Sequence, residues 1–341
     1  MNMSLKPVLA RLAGGARLSA AEAEAAFGVV MDGLATPAQI GGMLMAMRVR
    51  GETVEELTGA VTAMRARMTR ISAPNGAMDV CGTGGDGVAS LNISTAVTFV
   101  LAACGVPVAK HGNRALSSRA GGADVLMALG VNIEPPIERL SAILAEVGCV
   151  FLFAPRHHPA LRHAAEVRAE LGTRTIFNLT GPMASPASVK RQMIGVYDPT
   201  WLRPVAETLR DLGTESAWVY HGAGLDELTL AGENQVVALK GGEITELSLN
   251  AADAGLRPVP LEAIKGGDAV QNAAALQALL EGVPSGYRDT ILFNTAAALI
   301  VAGVVADLPE GVARAVAALD SGAALHVLER LRTVSQELSL A

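Results

Sequence analysis

MDVCGTGGDGVASLNISTAVTFVLA, residues 78 to 102, runs from a short apolar segment through a glycine turn into a second apolar run. Met78 to Cys81, closed by Gly82, has the length of a strand buried on both faces, whereas the run from Asn92 onward is long enough for a helix. The GTGGDG turn, Gly82 to Gly87, therefore leads from strand to helix. Glycines there let the backbone approach a ligand, and successive amide hydrogens can surround phosphate oxygens. The helix N-terminus adds partial positive charge, and Asn92, Ser94 and Thr95 add side-chain donors. The turn does not fit GxxxxGK[ST], which weakens a nucleoside-triphosphate reading.

Working outward, the same texture recurs in Val106 to Lys110, Val150 to Phe153, Met193 to Tyr197 and Ala217 to Tyr220. Val236 to Leu239 and Ile244 to Leu249 are further candidate strands, and several helical patterns close the chain. Short apolar runs alternating with helical patterns predict βαβ crossovers and an α/β domain with a mainly parallel central sheet flanked by helices. Ligands of such a sheet collect beyond the carboxyl ends of its strands. Toward the N-terminus, Ser19 with Glu22, Thr36 with Gln39 and Thr53 with Glu56 have capping-box spacing, so residues 1–73 read as a small all-helical domain and 74–341 as the α/β domain. Val54, Leu57, Val61, Met64 and Met68 form an apolar stripe that must bury against a neighbour.

Composition narrows the function classes. A net charge of −6 over 341 residues leaves no general positive field for nucleic acid, so any anion site is local. Cys81, Cys104 and Cys149 lack metal-ligand spacing, which fits a reducing cytoplasm better than a disulfide framework. No stretch reaches the ~20 uncharged apolar residues that cross a bilayer; Ile291 to Ala306, broken by Asn294 and Thr295, reads as a buried helix. The N-terminus, with Lys6 and Arg11 and no adjoining apolar core, is not a secretion signal.

Three further clusters carry chemistry. KHGNRALSS, Lys110 to Ser118, follows a strand and concentrates cations, an imidazole, an amide and hydroxyls, as a diphosphate requires in an acidic protein. Asp226 and Glu227 follow another strand and suit Mg²⁺, although an acidic pair taken alone is more often solvated surface. Between them, Arg156, Arg162, His163, Arg168 and Arg174 compete as partners for a substrate carboxylate, and the sequence selects none. His157 and His158 lack the companions of a zinc site. No motif stands out after Glu227.

Taken in order, GTGGDG, NIST, KHGNR with its serines, FLFAP, the VR before TRTIFN, NLTGP and LDE resemble the anthranilate phosphoribosyltransferases over roughly residues 5–340. The resemblance implies a nucleoside-phosphorylase-like fold whose helical domain is completed by a segment near 168–190. It also implies Mg²⁺-dependent transfer of a phosphoribosyl group from phosphoribosyl pyrophosphate (PRPP) to anthranilate in tryptophan biosynthesis, without a general base. For PRPP it implies Gly82, Gly85, Asp86, Ser90, Asn92, Ile93, Ser94 and Thr95 on one side. On the other it implies Lys110, His111, Gly112, Asn113, Arg114, Ala115, Leu116, Ser117 and Ser118, together with Gly122 in the RAGGAD stretch. Anthranilate would meet Gly82, Asn113, His158, Arg168 and Pro182; Mg²⁺ would take Ser94, Asp226 and Glu227. Lys110, Asn113 and Arg168 would carry catalysis. A cytoplasmic homodimer joined through the helical domain is implied as well. The rival readings are a pyrimidine nucleoside phosphorylase, which would read a base and phosphate, and a non-catalytic nucleic-acid-binding paralogue, which would need a basic surface.

Overall fold

The computed structural model describes residues 4–115 and 119–337. Four helices open the chain: α1 (Lys6–Ala13), α2 (Ala20–Met31), α3 (Pro37–Arg50) and α4 (Val54–Arg67). Ser19, Thr36 and Thr53 each accept from the backbone N–H three residues on, and Glu22, Gln39 and Glu56 reciprocate, so all three capping boxes form. The stripe after Thr53 is spent inside the protein: Leu57 and Val61 are fully buried, and α4 lies along α2. It is therefore not a face free for a partner subunit.

After the linker come β1 (Met78–Gly82), α5 (Ile93–Ala103), β2 (Val108–Gly112), α6 (Gly122–Ala128), α7 (Ile137–Val147) and β3 (Cys149–Phe153). The chain continues through α8 (Ala154–His157), α9 (Arg162–Leu171), α10 (Phe177–Met183), β4 (Arg191–Gly195), α11 (Leu202–Asp211) and β5 (Ser216–Gly222). Two strands follow, β6 (Asn234–Lys240) and β7 (Glu243–Leu249). Helices α12 (Ala269–Leu280), α13 (Gly286–Ala302), α14 (Leu308–Asp320) and α15 (Ala323–Glu337) end it. The run from Ile291 lies in α13, whose Asn294 and Thr295 are buried as expected.

The sheet order is β3-β2-β1-β4-β5-β6-β7. The first five strands pair in parallel and the last two antiparallel, because β6 and β7 form a hairpin that needs no crossover. From β1 the chain winds to β2 and β3 on one side, then returns to β4 on the other side of β1. The carboxyl end of β1 is thus a switch point, where crossovers diverge to opposite faces and leave a crevice.

Strand alternation divides the core. Met193, Trp218 and Tyr220 point toward α5 and α13, whereas Ile194, Ala217 and Val219 point toward α11 and, beyond it, the N-terminal helices. Helices α9 and α10 contribute Val167 and Phe177 to that second core, joined by Ile176 just ahead of α10, and pack on α2, α3 and α4. Phe27 and Phe177 meet edge to face at 5.5 Å across this contact. No single helix among the described residues is long and apolar enough to cross a membrane.

Candidate functional site

At the switch point, the glycine turn and the loop after β2 enclose a cavity of about 280 Å³. The turn begins with two anchors. Thr83 N–H donates to Gly195 O at 2.9 Å, and Gly84 N–H donates to Asp226 Oδ2 at 2.6 Å. Gly82 has no room for a side chain, since a Cβ there would collide with the Asp226 carboxylate. Gly84 and Gly85 take φ of 67° and 77°, the left-handed region that glycine enters without strain. At the far end, Leu91 N–H donates to Ile264 O at 2.8 Å and Gly266 N–H to Ala89 O at 2.7 Å.

The first residues of α5 face the same space. Asn92 is fixed from three directions: its Nδ2 donates to Ala120 O, its Oδ1 accepts from Asn272 Nδ2, and its carbonyl accepts from Tyr287 OH. Ser94 is the convergence point. Lys110 Nζ donates to Ser94 Oγ at 3.0 Å and to Val80 O at 2.7 Å, while Ser94 N–H donates to Glu227 Oε1 at 3.2 Å. One residue at a helix start thus joins a buried cation to a buried acid.

The loop after β2 is stitched by Asp124, whose Oδ2 accepts from Ala115 N–H and Gly121 N–H, both at 2.9 Å. A Cβ on Gly122 would stand 2.9 Å from Thr95 Oγ1, so glycine is required for the loop to lie this close to α5. Under it, Asp79 Oδ1 accepts the His111 N–H at 3.0 Å and fixes the end of β2. Burial pushes the Asp79 carboxyl up to about 7, with the charge of Lys110 opposing the rise.

Asp226 and Glu227 are 9% and 8% exposed, which excludes a solvated acidic patch. Burial, then the neighbouring carboxylates, hold both above the usual carboxylate range, Asp226 beside Asp86 and Glu227 beside Asp226. Crowded buried acids of this kind are relieved by a hard cation. Among the described residues no cluster of three or more His, Cys, Asp or Glu forms a complete cage. The donor set, two carboxylates and a hydroxyl, fits Mg²⁺, which keeps waters and phosphate oxygens as its remaining ligands.

Fifteen of the residues singled out for PRPP in the sequence line this cavity: Gly82, Gly85, Asp86, Ser90, Asn92, Ile93, Ser94, Thr95, Lys110, His111, Gly112, Asn113, Arg114, Ala115 and Gly122. Leu116, Ser117 and Ser118 lie outside the described residues. Arg168, His158 and Pro182 do not line it. His158 stacks beside His111 with centroids 5.0 Å apart, and burial drives the His158 imidazole down to about 4, leaving it neutral. Pro182 is buried in α10, its carbonyl accepting from Gln192 Nε2 at 2.9 Å.

The geometry separates the competing cations. Arg156 is engaged at 2.6 Å with Pro135 O, Arg162 is exposed, and His163 lies against Gly33. Arg168 rests over the Phe177 ring at 5.2 Å, makes no hydrogen bond or ion pair among the described residues, and has its pKa lowered by burial. A half-buried guanidinium with unfilled donors calls for an anion. Arg174 has a ring and free donors too, but faces the glycine turn. Sequence reasoning missed Thr83, Asn178, Asn272 and Tyr287. Thr83 and Asn178, which lie inside the quoted GTGGDG and NLTGP stretches, both line the cavity, whereas Asn272 and Tyr287 sit in no motif.

Residues 74–325 match the model of the glycosyl transferase family α/β domain, and residues 6–68 match that of its helical bundle domain. An anthranilate phosphoribosyltransferase of Sinorhizobium medicae is 56% identical over 97% of this chain and 98% of its own. A crystal structure of the anthranilate phosphoribosyltransferase of Thermus thermophilus is 43% identical, with TM-score 0.92 over 96% of this chain and 99% of that one. The Saccharomyces cerevisiae enzyme in complex with PRPP and Mg is 25% identical, with TM-score 0.89 over 99% of this chain and 100% of that one. These relatives favour transfer to anthranilate over the nucleoside phosphorylase and nucleic-acid readings. With near-complete coverage at such identity, the chain belongs to the anthranilate phosphoribosyltransferase family.

Proposed function

We propose that the cavity at the carboxyl ends of β1 and β2 holds PRPP with Mg²⁺, and that Arg168 pairs with the carboxylate of anthranilate. The enzyme is a phosphoribosyltransferase that joins the two substrates and releases pyrophosphate. The observation that carries the assignment of residues is Ser94, bonded at once to Lys110 and Glu227. A cation, an acid and a helix N-terminus meeting at one point suit a diphosphate accompanied by a divalent cation.

In this reading Asp226, Glu227 and Ser94 would hold Mg²⁺, which would supply charge neutralisation for the departing pyrophosphate. Lys110 and the amides of Gly82 to Gly87 donate to the phosphate oxygens. Asp86 and Ser90, with Asn92 to Thr95, complete one wall; His111 to Ala115 and Gly122 complete the other, facing the 5-phosphate and ribose. The anthranilate nitrogen gives its lone pair to the anomeric carbon while the bond to the pyrophosphate oxygen breaks, its electrons leaving with pyrophosphate. Configuration inverts. The amine proton passes to water after attack, so no strong base is needed, in keeping with the low basicity that burial gives His111 and His158. Positioning and charge stabilisation then supply most of the acceleration.

Acceptor access runs past Gly82, Asn113, His158, Arg168 and Pro182. In this reading residues 1–73, completed by α9 and α10, form one helical unit that carries Arg168 on α9. Two chains pair through the helical unit, using a face other than the α4 stripe; Val49, 82% exposed, and Leu34, 59% exposed, are apolar residues available there. The test is product formation. Incubation with anthranilate, labelled PRPP and Mg²⁺ is expected to give the fluorescent adduct, and thymidine with phosphate to give nothing. The reverse pattern would replace this reading with a phosphorylase.

A further inference from the structure

Between its two anchors the glycine turn has one notable neighbour. The three atoms nearest to a Cβ built on Gly85 all belong to Arg174: Nη2 at 3.3 Å, Nε at 3.5 Å and Cζ at 3.6 Å. The guanidinium lies 3.8 Å from the centroid of the Tyr197 ring and forms no hydrogen bond or ion pair among the described residues. Tyr197 is itself tied to the turn, its N–H donating to Thr83 Oγ1 at 3.1 Å. The end of β4 therefore grips the front of the turn with backbone and carries, on a ring, the cation that faces the middle of it. On either side of Gly85, Gly84 and Gly87 have nothing within 4 Å of their Cβ positions, so Arg174 is the neighbour that the glycines of the mid-turn meet.

We propose that Arg174 is a positioning residue for the diphosphate: seated on Tyr197, its guanidinium braces Gly85 so that the amides of the turn face the phosphate oxygens. The proposal rests on the PRPP reading above and deepens it. Arg174 does not line the cavity, so it acts through the turn. Planarity matters, because a guanidinium lies flat on an aromatic face and still presents in-plane donors, which an ammonium does not. Its charge also raises the local positive potential where a multiply charged anion arrives in a chain of net charge −6.

The test compares wild type, Arg174→Gln, Tyr197→Leu and Tyr197→Phe as full-length protein, reading steady-state constants, thermal midpoint and hydrogen exchange of residues 82–90 with and without PRPP and Mg²⁺. Arg174→Gln is expected to raise the KM for PRPP about tenfold, to leave that for anthranilate within about twofold, and to lose most of the ligand-induced protection, with the midpoint unchanged. Tyr197→Leu should follow it, and Tyr197→Phe, which keeps the ring, should restore PRPP affinity. Wild-type KM and protection in Arg174→Gln, or an equal rise for both substrates, would overturn the proposal alone. Wild-type protein that fails to bind PRPP would overturn the reading beneath it and this proposal with it.

Discussion

The cationic and acidic sides of the cavity are built by opposite rules. Lys110, 4% exposed, spends two of its three donors on Val80 O and Ser94 Oγ and keeps the third for a ligand. Asp226 and Glu227 are just as buried but stand next to each other and to Asp86, with too few donors to offset the repulsion. A buried charge held by hydrogen bonds is already fixed in place, whereas crowded like charges call for a counter-ion. The acidic side would therefore suit a divalent cation, and the cationic side has a donor already fixed in place for an anion.

That contrast breaks most visibly at the acids. Asp226→Asn, an isosteric change that keeps the contact to Gly84 N–H while removing a charge, should lower kcat/KM roughly a hundredfold or more and raise the Mg²⁺ concentration needed for half-maximal rate. Because it also removes repulsion, the variant should be no less stable than wild type. Equal Mg²⁺ dependence in both proteins would place the metal elsewhere.

Arg168 sharpens the comparison as a third kind of charge, half-buried and unpaired among the described residues. Arg168→Ala is expected to raise the KM for anthranilate between about tenfold and a hundredfold while that for PRPP stays near wild type. Equal losses for both substrates would remove the carboxylate assignment.

The imidazoles beside the cavity are buried charges avoided. His158 titrates near 4 in the folded chain and at its ordinary value of 6.5 when unfolded. As pH falls from about 6.5 to about 4 the unfolded state takes up the proton first, so the stability from keeping His158 neutral is present above that window and lost within it. Asp79, raised to about 7, contributes with the opposite sign, so the test is a difference: urea midpoints of wild type should fall more steeply than those of His158→Gln across that window. Parallel curves would deny His158 a role.

The smallest effect is expected far from the cavity. Thr53→Ala removes the side-chain acceptor for Glu56 N–H at the start of α4 and should cost about 1 kcal/mol of stability, read as a fall in the urea midpoint, with both KM values unchanged. A kinetic effect would show that the helical unit tunes the site through more than its packing.

Thr53 also shows which parts of the molecule were legible in the chain. Capping boxes close over three residues, so their whole mechanism lies in one short window, and all three predicted boxes form. The glycine turn and the loop after β2 were legible for a similar reason, since contiguous backbone does most of the work. What holds them was not. Asn272 reaches Asn92 from 180 residues away and Tyr287 from 195, and neither sits in a motif. No motif stands out after Glu227, and these supports need none, since each acts through a single side chain brought in by the fold. The α4 stripe was legible as apolar, but its partner could be named only once α2 was seen to cover it. Likewise, choosing Arg168 over Arg156 needed the knowledge that Arg156 is already bonded to Pro135 O.

The most direct measurement is calorimetric titration of PRPP into wild type and Asp226→Asn, with and without Mg²⁺. Strong heat with wild type only when Mg²⁺ is present, much reduced in the variant, is the predicted result. No heat with wild type under saturating metal, or binding indifferent to both Mg²⁺ and Asp226, would contradict the acid-held cation on which the cavity's assignment depends.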